Sequence, residues 1–369
     1  MKILITGANG FIAKNLIAQL KVEGYDDLLV CNRNTTDGAM EKYIKECDFV
    51  FHLAGVNRPE NNNEFTEGNV EFTKTIIDML QTYSKNVPVL FTSSIQAENN
   101  NAYGESKKKA EDVIFNYGKS SGAPVMIYRL PNAFGKWARP NYNSVVATFS
   151  YNIANDKSIT INDEDHLLEL AYIDDIINEF ILSLNGQGRK VGEFYEITTT
   201  TKITVGQLAN KLYEFKSSRE NLIMPSLANQ FDRNVYATFL SYLNKDDFSY
   251  YLNKNEDNRG WLAEFIKSKE MGQIFISKSK PGITRGNHWH HTKVEKFLVV
   301  QGEGVISFRN INDDKVIEYH VNGENPEVVD IPPGYTHAIK NTGVEDLITL
   351  FWACEIFDQN NPDTYREEV

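Results

Sequence analysis

Lys2-Ile-Leu-Ile-Thr6-Gly7-Ala-Asn-Gly10-Phe-Ile-Ala13 decides the fold of the amino-terminal part of this chain. A short run rich in branched apolar residues meets a glycine turn, and an amphipathic segment continues to about Leu20. That order is strand, turn, helix. The small residues suit a dinucleotide: Gly7 permits the tight turn, Gly10 lets a pyrophosphate approach the helix N-terminus, and Ala13 lets helix and strand pack closely.

The second strand, Leu28 to Cys31, ends in Asn32-Arg33-Asn34. No acidic residue stands where an NAD-type site holds the adenosine ribose, and Arg33 suits a 2′-phosphate, so NADPH is the expected cofactor. Phe49-Val-Phe-His-Leu-Ala-Gly55 reads as a third buried strand whose Ala54 and Gly55 let the dinucleotide pass. His52 lies inside this apolar run and reads as a satisfied core histidine. Asn61 to Asn63 reads as a polar loop, Asn69 to Tyr83 as an amphipathic helix, and Val87 to Ser94 and Pro124 to Arg129 as the fourth and fifth strands. This alternation predicts a parallel, doubly wound α/β sheet that binds ligands at the carboxyl ends of its strands. Ser94 stands at such an end, better placed than Ser93 or Thr92 to hydrogen-bond a substrate carbonyl.

Tyr103-Gly-Glu-Ser-Lys107 opens a helical run to Tyr117. Four residues make about one turn, so both side chains share a face. An ammonium beside a phenol lowers the phenol's pKa, and Lys107 suits a ribose hydroxyl, which makes Tyr103 a proton donor to a carbonyl receiving hydride. Lys108 and Lys109 read as the solvated side of the helix. In the loop after the fifth strand, Asn132, Lys136 and Arg139 are candidates to meet a diphosphate.

The chain has 369 residues, enough for two domains, and 41% of them are hydrophobic. A net charge of −12 argues against a general nucleic-acid or anionic-membrane surface. Cys31, Cys47 and Cys354 share no metal-like spacing and read as reduced thiols of a cytoplasmic protein. No apolar run approaches the ~18 residues of a membrane span, so no membrane insertion is expected.

The Thr6-Gly7-x-x-Gly10-Phe11-Ile12 turn, His52-Leu-Ala54, Ser94, Tyr103 and Lys107 together resemble the extended short-chain dehydrogenase/reductase (SDR) family, over about the first 240 residues. The resemblance implies a Rossmann-type fold, with Tyr103 as general acid, Lys107 as its activator and Ser94 orienting the carbonyl. It also implies a cofactor site at Gly7, Asn9, Gly10, Phe11, Ile12, Arg33, Leu53, Ala54 and Lys107. Only eight residues separate Ser94 from Tyr103, fewer than most of that family shows. Leu170-Ala-Tyr-Ile-Asp-Asp-Ile176 resembles a segment of its sugar-nucleotide branch.

Composition turns to Asn, Lys, Asp and Tyr between Ser241 and Asn258, which places a domain boundary near residue 245: 1–245 for the reductase, 246–369 for a second domain. Gln273 to Ser277, Glu295 to Val300, Gly304 to Phe308 and Leu347 to Trp352 read as short strands of an all-β domain. Within it, His288-Trp-His290, Glu295 and His337 offer three imidazoles and a carboxylate to a divalent metal. Their spacing from Gly282, Gly302 and Pro332-Pro-Gly334 resembles the cupin (jelly-roll) family, departing from it in having no glycine six residues before Pro332. His291 reads as exposed.

A metal there would polarise a ketone and stabilise the enolate left when an adjacent proton is removed. That acidity exists only while the ketone does, so epimerisation must precede reduction. The two-domain combination resembles the reductase–cupin enzymes of bacterial capsular polysaccharide synthesis. The resemblance implies a UDP-linked 4-keto-6-deoxy-N-acetylhexosamine, epimerised at carbon 3 and reduced at carbon 4 with NADPH, and it implies zinc and a homodimer. His290, Lys296 and Tyr335 are candidate bases, with metal-bound hydroxide another. The alternatives left open are a ketoreductase whose cupin is a structural or dimerisation metal module, and a non-enzymatic dinucleotide sensor.

Overall fold

Four consecutive buried residues, Ile3–Thr6, form β1, and their neighbours in the sheet are β2 (Leu28–Cys31) on one side and β3 (Phe49–His52) on the other. The computed structural model describes residues 1–369, and β4 (Val89–Ser94) and β5 (Val125–Leu130) continue this sheet in parallel. β6 (Asn132–Phe134), β7 (Leu167–Tyr172) and β10 (Thr201–Thr204) form a separate three-stranded sheet, while β8 (Lys190–Val191) and β9 (Phe194–Tyr195) complete the first one. The order β2-β1-β3-β4-β5-β9-β8 is parallel throughout except for the last pair.

Helices Phe11–Val22 and Ile173–Leu184 cover one face; Asp37–Glu46, Phe72–Thr82 and Ala102–Ser121 cover the other. This is the doubly wound α/β sheet the alternation predicts. Its strand order reverses beside β1, so the turn after Thr6 opens at a switch point, where such sheets take their ligands.

Three element boundaries differ from the sequence reading for local reasons. Val87 and Pro88 fall outside β4, and Pro124 outside β5, since proline has no N–H for a ladder. Asn61 and Asn62 lie in the expected loop, but Asn63 already opens a helix: the Asn61 side chain accepts from the Asn63 N–H at 3.0 Å, and helical turns run from Asn63 through a π-helical stretch, Thr66–Glu71.

By contacts the chain divides into two units, Met1–Leu212 with Ala228–Asn244, and Tyr213–Leu227 with Lys245–Val369. A single boundary near 245 does not provide for Tyr213–Leu227. That segment is tied to the second unit by hydrogen bonds from Met224 N–H to Lys267 O (2.7 Å) and from Lys267 N–H to Leu222 O (2.8 Å).

The two sheets of the second unit are all-antiparallel. β11 (Lys254–Asp257), β12 (Gly260–Ser268) and β13 (Gly272–Ser279) begin one sheet, and β14 (Thr284–Trp289) begins the other. Then come β15 (Glu295–Gln301), β16 (Glu303–Asn310), β17 (Val316–Asn322), β18 (Val328–Ile331), β19 (Tyr335–Asn341), β20 (Leu347–Ala353) and β21 (Tyr365–Arg366). The sheets run β11-β12-β13-β20-β15-β18 and β17-β16-β19-β14-β21. Phe297, Phe351, Val329, Ile306, Phe308 and Ile339 fill the core with residues of both sheets. No helix of the chain is long and apolar enough to cross a membrane, and all three cysteines are free thiols.

Candidate functional site

Gly7 has φ +69°, and a Cβ there would lie 2.8 Å from the Ala54 Cα, so only glycine fits where the turn after β1 meets the turn after β3. The helix it leads into, Phe11–Val22, has no side-chain cap and no acidic residue in its first turn, which leaves its N–H groups to an anion. Asn9, Gly10 and Arg33 are exposed, Phe11, Ile12, Leu53 and Ala54 half-buried.

Behind the turn, the Thr6 hydroxyl accepts from the Leu53 and Ala54 N–H groups, each at 3.2 Å, and meets His52 Nδ1 at 2.8 Å. His52 Nε2 reaches the Thr73 hydroxyl at 2.8 Å, and burial lowers the imidazole to about 3. His52 is therefore a neutral structural link.

The helix Ala102–Ser121 is capped by Asn101, whose side chain accepts from the Gly104 N–H at 2.8 Å. Tyr103, Lys107 and Glu111 stand at intervals of four along it, while Lys108 and Lys109 face solvent. The Ser94 side chain is close enough to Tyr103 to act on its pKa, and the Ser94 hydroxyl accepts from the Gln96 N–H at 3.2 Å.

The expected lowering of the Tyr103 pKa is reversed. Burial raises it, the neighbouring Ser94 opposes that in part, and Lys107 is not among its causes. The reason is geometric: the Lys107 ammonium donates to the Thr92 carbonyl at 2.7 Å and lies 4.6 Å from the Phe91 ring centre. Burial lowers Lys107 to about 8, against the opposing charge of Glu111.

Sequence reasoning missed two supports. The Asn69 side chain accepts from the Val56 N–H (2.8 Å) and donates to the Ser106 hydroxyl (2.9 Å), tying the turn after β3 to the helix of Tyr103. Glu111 is buried in a two-point pair with Arg129 (2.9 and 2.7 Å) and accepts from the Ser93 hydroxyl at 2.5 Å. The available signal was its place four residues beyond Lys107.

The structure does not gather Asn132, Lys136 and Arg139. Lys136 is paired with Asp174 at 2.5 Å, Asn132 donates to the Glu169 carbonyl at 3.3 Å, and Arg139 lies over the Tyr142 ring. A cavity of about 700 Å³, lined by Phe134, Tyr172, Lys202, Lys211 and Phe231 among others, includes neither Ser94 nor Tyr103.

In the second unit β14 slips its register between Gly286 and His288, where Asn287 adopts φ +57°, and this brings His288 directly opposite His337 on β19. Glu295 opens β15 of the other sheet, and His290 comes just after β14. Their ligand atoms all lie within 4.8 Å of one another.

The fit to a metal rests on orphaned atoms. His290 Nε2 and His337 Nε2 are buried without a hydrogen-bond partner, each 3.5 Å from Glu295 Oε2. Such groups are rarely left unpaired. Burial and the neighbouring imidazoles hold His288 down at about 4, so its lone pair is free, while for Glu295 burial is outweighed by His290 and His337, which keep it near 2 and ionised. Three imidazoles and a carboxylate form a donor set suited to a divalent cation.

Of the candidate bases, Lys296 is directed away. It alternates with Glu295 on β15, is exposed, and pairs with Asp330. The Tyr335 carbonyl faces His337 Nδ1 at 3.3 Å. His291 is exposed.

A dinucleotide-type α/β unit with a serine–tyrosine pair at a strand end, joined to an all-β unit holding a buried His₃Glu cluster, is the class that fold and site define. Residues 3–197 match the NAD dependent epimerase/dehydratase family, and residues 255–365 match the polysaccharide biosynthesis C-terminal domain. A Pseudomonas aeruginosa protein named UDP-2-acetamido-2,6-beta-L-arabino-hexul-4-ose reductase is 44% identical over 100% of this chain and 99% of its own length. The crystal structure of the capsular polysaccharide assembling protein CapF from Staphylococcus aureus superposes with a TM-score of 0.94 at 48% identity, covering 100% of both chains. A UDP-glucuronic acid 4-epimerase from Bacillus cereus, 18% identical with a TM-score of 0.54, covers 66% of this chain and 98% of its own, and shares the fold. The chain belongs to the NAD dependent epimerase/dehydratase family, in the two-domain branch that the Pseudomonas and Staphylococcus proteins represent.

Proposed function

We propose that this chain is a bifunctional nucleotide-sugar enzyme of capsular polysaccharide synthesis, on the way to N-acetyl-L-fucosamine. The second unit epimerises carbon 3 of a UDP-linked 4-keto-6-deoxy-N-acetylhexosamine. The first unit then reduces the 4-ketone with NADPH to UDP-2-acetamido-2,6-dideoxy-L-talose. The names of its full-length relatives, one a hexul-4-ose reductase and one a capsular polysaccharide assembling protein, support this substrate class. The free thiols and the nucleotide-linked substrate suit the cytoplasm, and a homodimer is the expected assembly.

The observation that carries the two-site reading is the pair of buried, unpartnered nitrogens, His290 Nε2 and His337 Nε2, facing Glu295. The first unit supplies a site for reduction; the cluster supplies a second, separate site suited to removing a proton beside the ketone.

In the first unit Gly7, Asn9, Gly10, Phe11 and Ile12 receive the pyrophosphate, Arg33 the 2′-phosphate, Leu53 and Ala54 line the passage, and Lys107 holds a ribose hydroxyl. Ser94 donates to the ketone oxygen and orients it. Tyr103, kept protonated by burial, delivers its proton to that oxygen as carbon 4 is reduced. In the second unit His288, His290, Glu295 and His337 hold the metal. The bound nicotinamide supplies the hydride, and the bound divalent metal, zinc by expectation, supplies the positive charge that polarises the ketone.

A second reading, a 4-ketoreductase whose β-unit is a structural metal module, draws on burial: His337 is 0% and His290 2% exposed. Proton NMR in deuterated water with the keto-sugar separates the two. Deuterium entering beside the ketone without NADPH, lost in Glu295→Gln but kept in Tyr103→Phe, is the expected result. No exchange while NADPH is still consumed would sink the epimerase and leave the second reading.

A further inference from the structure

The carboxyl-terminal residues Pro362–Glu368 wrap the strands that carry the histidines. β21 pairs with β14 at His288 and Trp289, and the Tyr365 and Trp289 rings stack with centres 4.9 Å apart. The Glu367 N–H donates to the Asn287 carbonyl at 3.1 Å, and the Thr336 hydroxyl, next to His337, donates to the Glu367 carbonyl at 2.5 Å. Arg309 holds the Glu367 carboxylate at 2.6 Å. The segment therefore bonds beside both His288 and His337.

Its anchor is Asp363. One carboxylate accepts from the His291 N–H (3.0 Å), the Thr292 N–H (2.9 Å), the Lys293 N–H (2.9 Å) and the Thr292 hydroxyl (3.0 Å). Lys293, itself 4% exposed, donates its ammonium to the Pro362 carbonyl at 2.5 Å. Asp363 has φ +39°, a conformation that aspartate, asparagine and glycine adopt most readily. So held, the Asp363 carbonyl lies 2.5 Å from His290 Nδ1.

A carbonyl can only accept a hydrogen bond. The contact therefore selects the His290 tautomer with its proton on Nδ1 and leaves a lone pair on Nε2, the nitrogen aimed at Glu295 and the shared centre. We propose that Asp363 is the positioning residue of the metal centre, and that Pro362–Glu368 is a strap that sets the ring and tautomer of His290 before any metal arrives. Outer hydrogen bonds of this kind are worth roughly 10–100-fold in metal affinity. The proposal rests on the metal reading of the His₃Glu cluster, but its first observable belongs to the metal-free chain.

The test uses the full chain in three forms: unaltered, Asp363→Gly and Asp363→Asn. Glycine accepts the backbone angle and removes only the carboxylate; asparagine keeps one acceptor oxygen. The His290 tautomer is read in metal-free protein from the nitrogen-15 shifts of its ring, and zinc affinity by competition with a chromogenic chelator. The melting transition of the second unit, read by differential scanning calorimetry of the full chain, serves as the folding control.

The unaltered chain is expected to show the Nδ1–H tautomer. Asp363→Gly should mix the tautomers and weaken zinc by roughly 10–100-fold, and Asp363→Asn should restore most of both. Should the glycine variant fail to fold, the asparagine variant carries the same expectation with a loss of a few-fold. A glycine variant with an unchanged tautomer and unchanged zinc affinity overturns the proposal. An unaltered chain that binds no zinc overturns the metal reading instead, and the tautomer comparison still decides the strap.

Discussion

Lys107 shows at the scale of one residue why pattern and environment diverge. Its spacing from Tyr103 was legible in the sequence, but its partner was not, because the Thr92 carbonyl arrives from another element. With Lys107 lowered to about 8, its ammonium is lost above that pH, and reduction should fall on an alkaline limb near pH 8. Glu111 raises the Lys107 pKa, so Glu111→Gln should move that limb to lower pH; an unmoved limb in kcat/KM profiles counts against Lys107 as the titrating group. Replacing the proton donor itself, Tyr103→Phe, should cost about 10²–10⁴-fold in reduction with NADPH binding intact. His52 carries a stability prediction. Its folded pKa of about 3 lies below the usual 6.5, so its contribution is complete above pH 6.5 and is lost as pH falls toward 3, at about 1.4 kcal/mol per pH unit. Urea unfolding at successive pH values should show this slope, flattened in His52→Gln. Its core role could be read from Phe49-Val-Phe-His52, although its bonds to Thr6 and Thr73 could not.

At the scale of elements, the glycine turn and the short connection after β4 carry most of the first site's geometry. Gly7→Ala forces a side chain onto φ +69° and against the Ala54 backbone, strain of roughly 1–3 kcal/mol, and should appear as weakened NADPH binding in a fluorescence titration. Gly104 has a different duty. A Cβ there would lie 2.2 Å from the Gln96 carbonyl, so the 3₁₀ turn Ile95–Glu98 rests directly on the start of the Tyr103 helix. Gly104→Ala should displace Ser94 from Tyr103 and lower kcat more than it alters NADPH affinity. The short Ser94–Tyr103 spacing was plain in the sequence, but that it is filled by a packed turn depends on Gly104 and Asn101 acting together. In the second unit, the strands holding Phe275, Phe297, Phe308 and Phe351 announced themselves as short apolar runs split by glycine, proline and Asn-Asp turns. β17 did not: five of its seven residues are exposed, and nothing periodic marks a strand at a sheet edge.

At the scale of the whole molecule, the two units answer to different substitutions, and the boundary between them is not a single cut. A fragment beginning at residue 246 lacks Tyr213–Leu227, and with it the Leu222 and Met224 bonds to Lys267 and the Arg219–Asp247 pair at 3.6 Å. It should melt at a lower temperature than the second unit does within the full chain, which differential scanning calorimetry can read; equal melting would deny that segment a structural part. Local spacing was enough for the doubly wound sheet and the glycine turn, since strand runs, period 3.6 and a turn that only glycine makes are each written in neighbouring residues; Ser94, Tyr103 and Lys107, and His288, His290, Glu295 and His337, were candidates raised by spacing together with family resemblance. Tertiary structure alone decided the Lys107 contact with Thr92, the Glu111–Arg129 pair beneath it, the membership of Tyr213–Leu227, and the hold of Asp363 on His290. Each of these joins residues far apart in the chain, and a hydrogen bond between distant segments leaves no periodic trace in either.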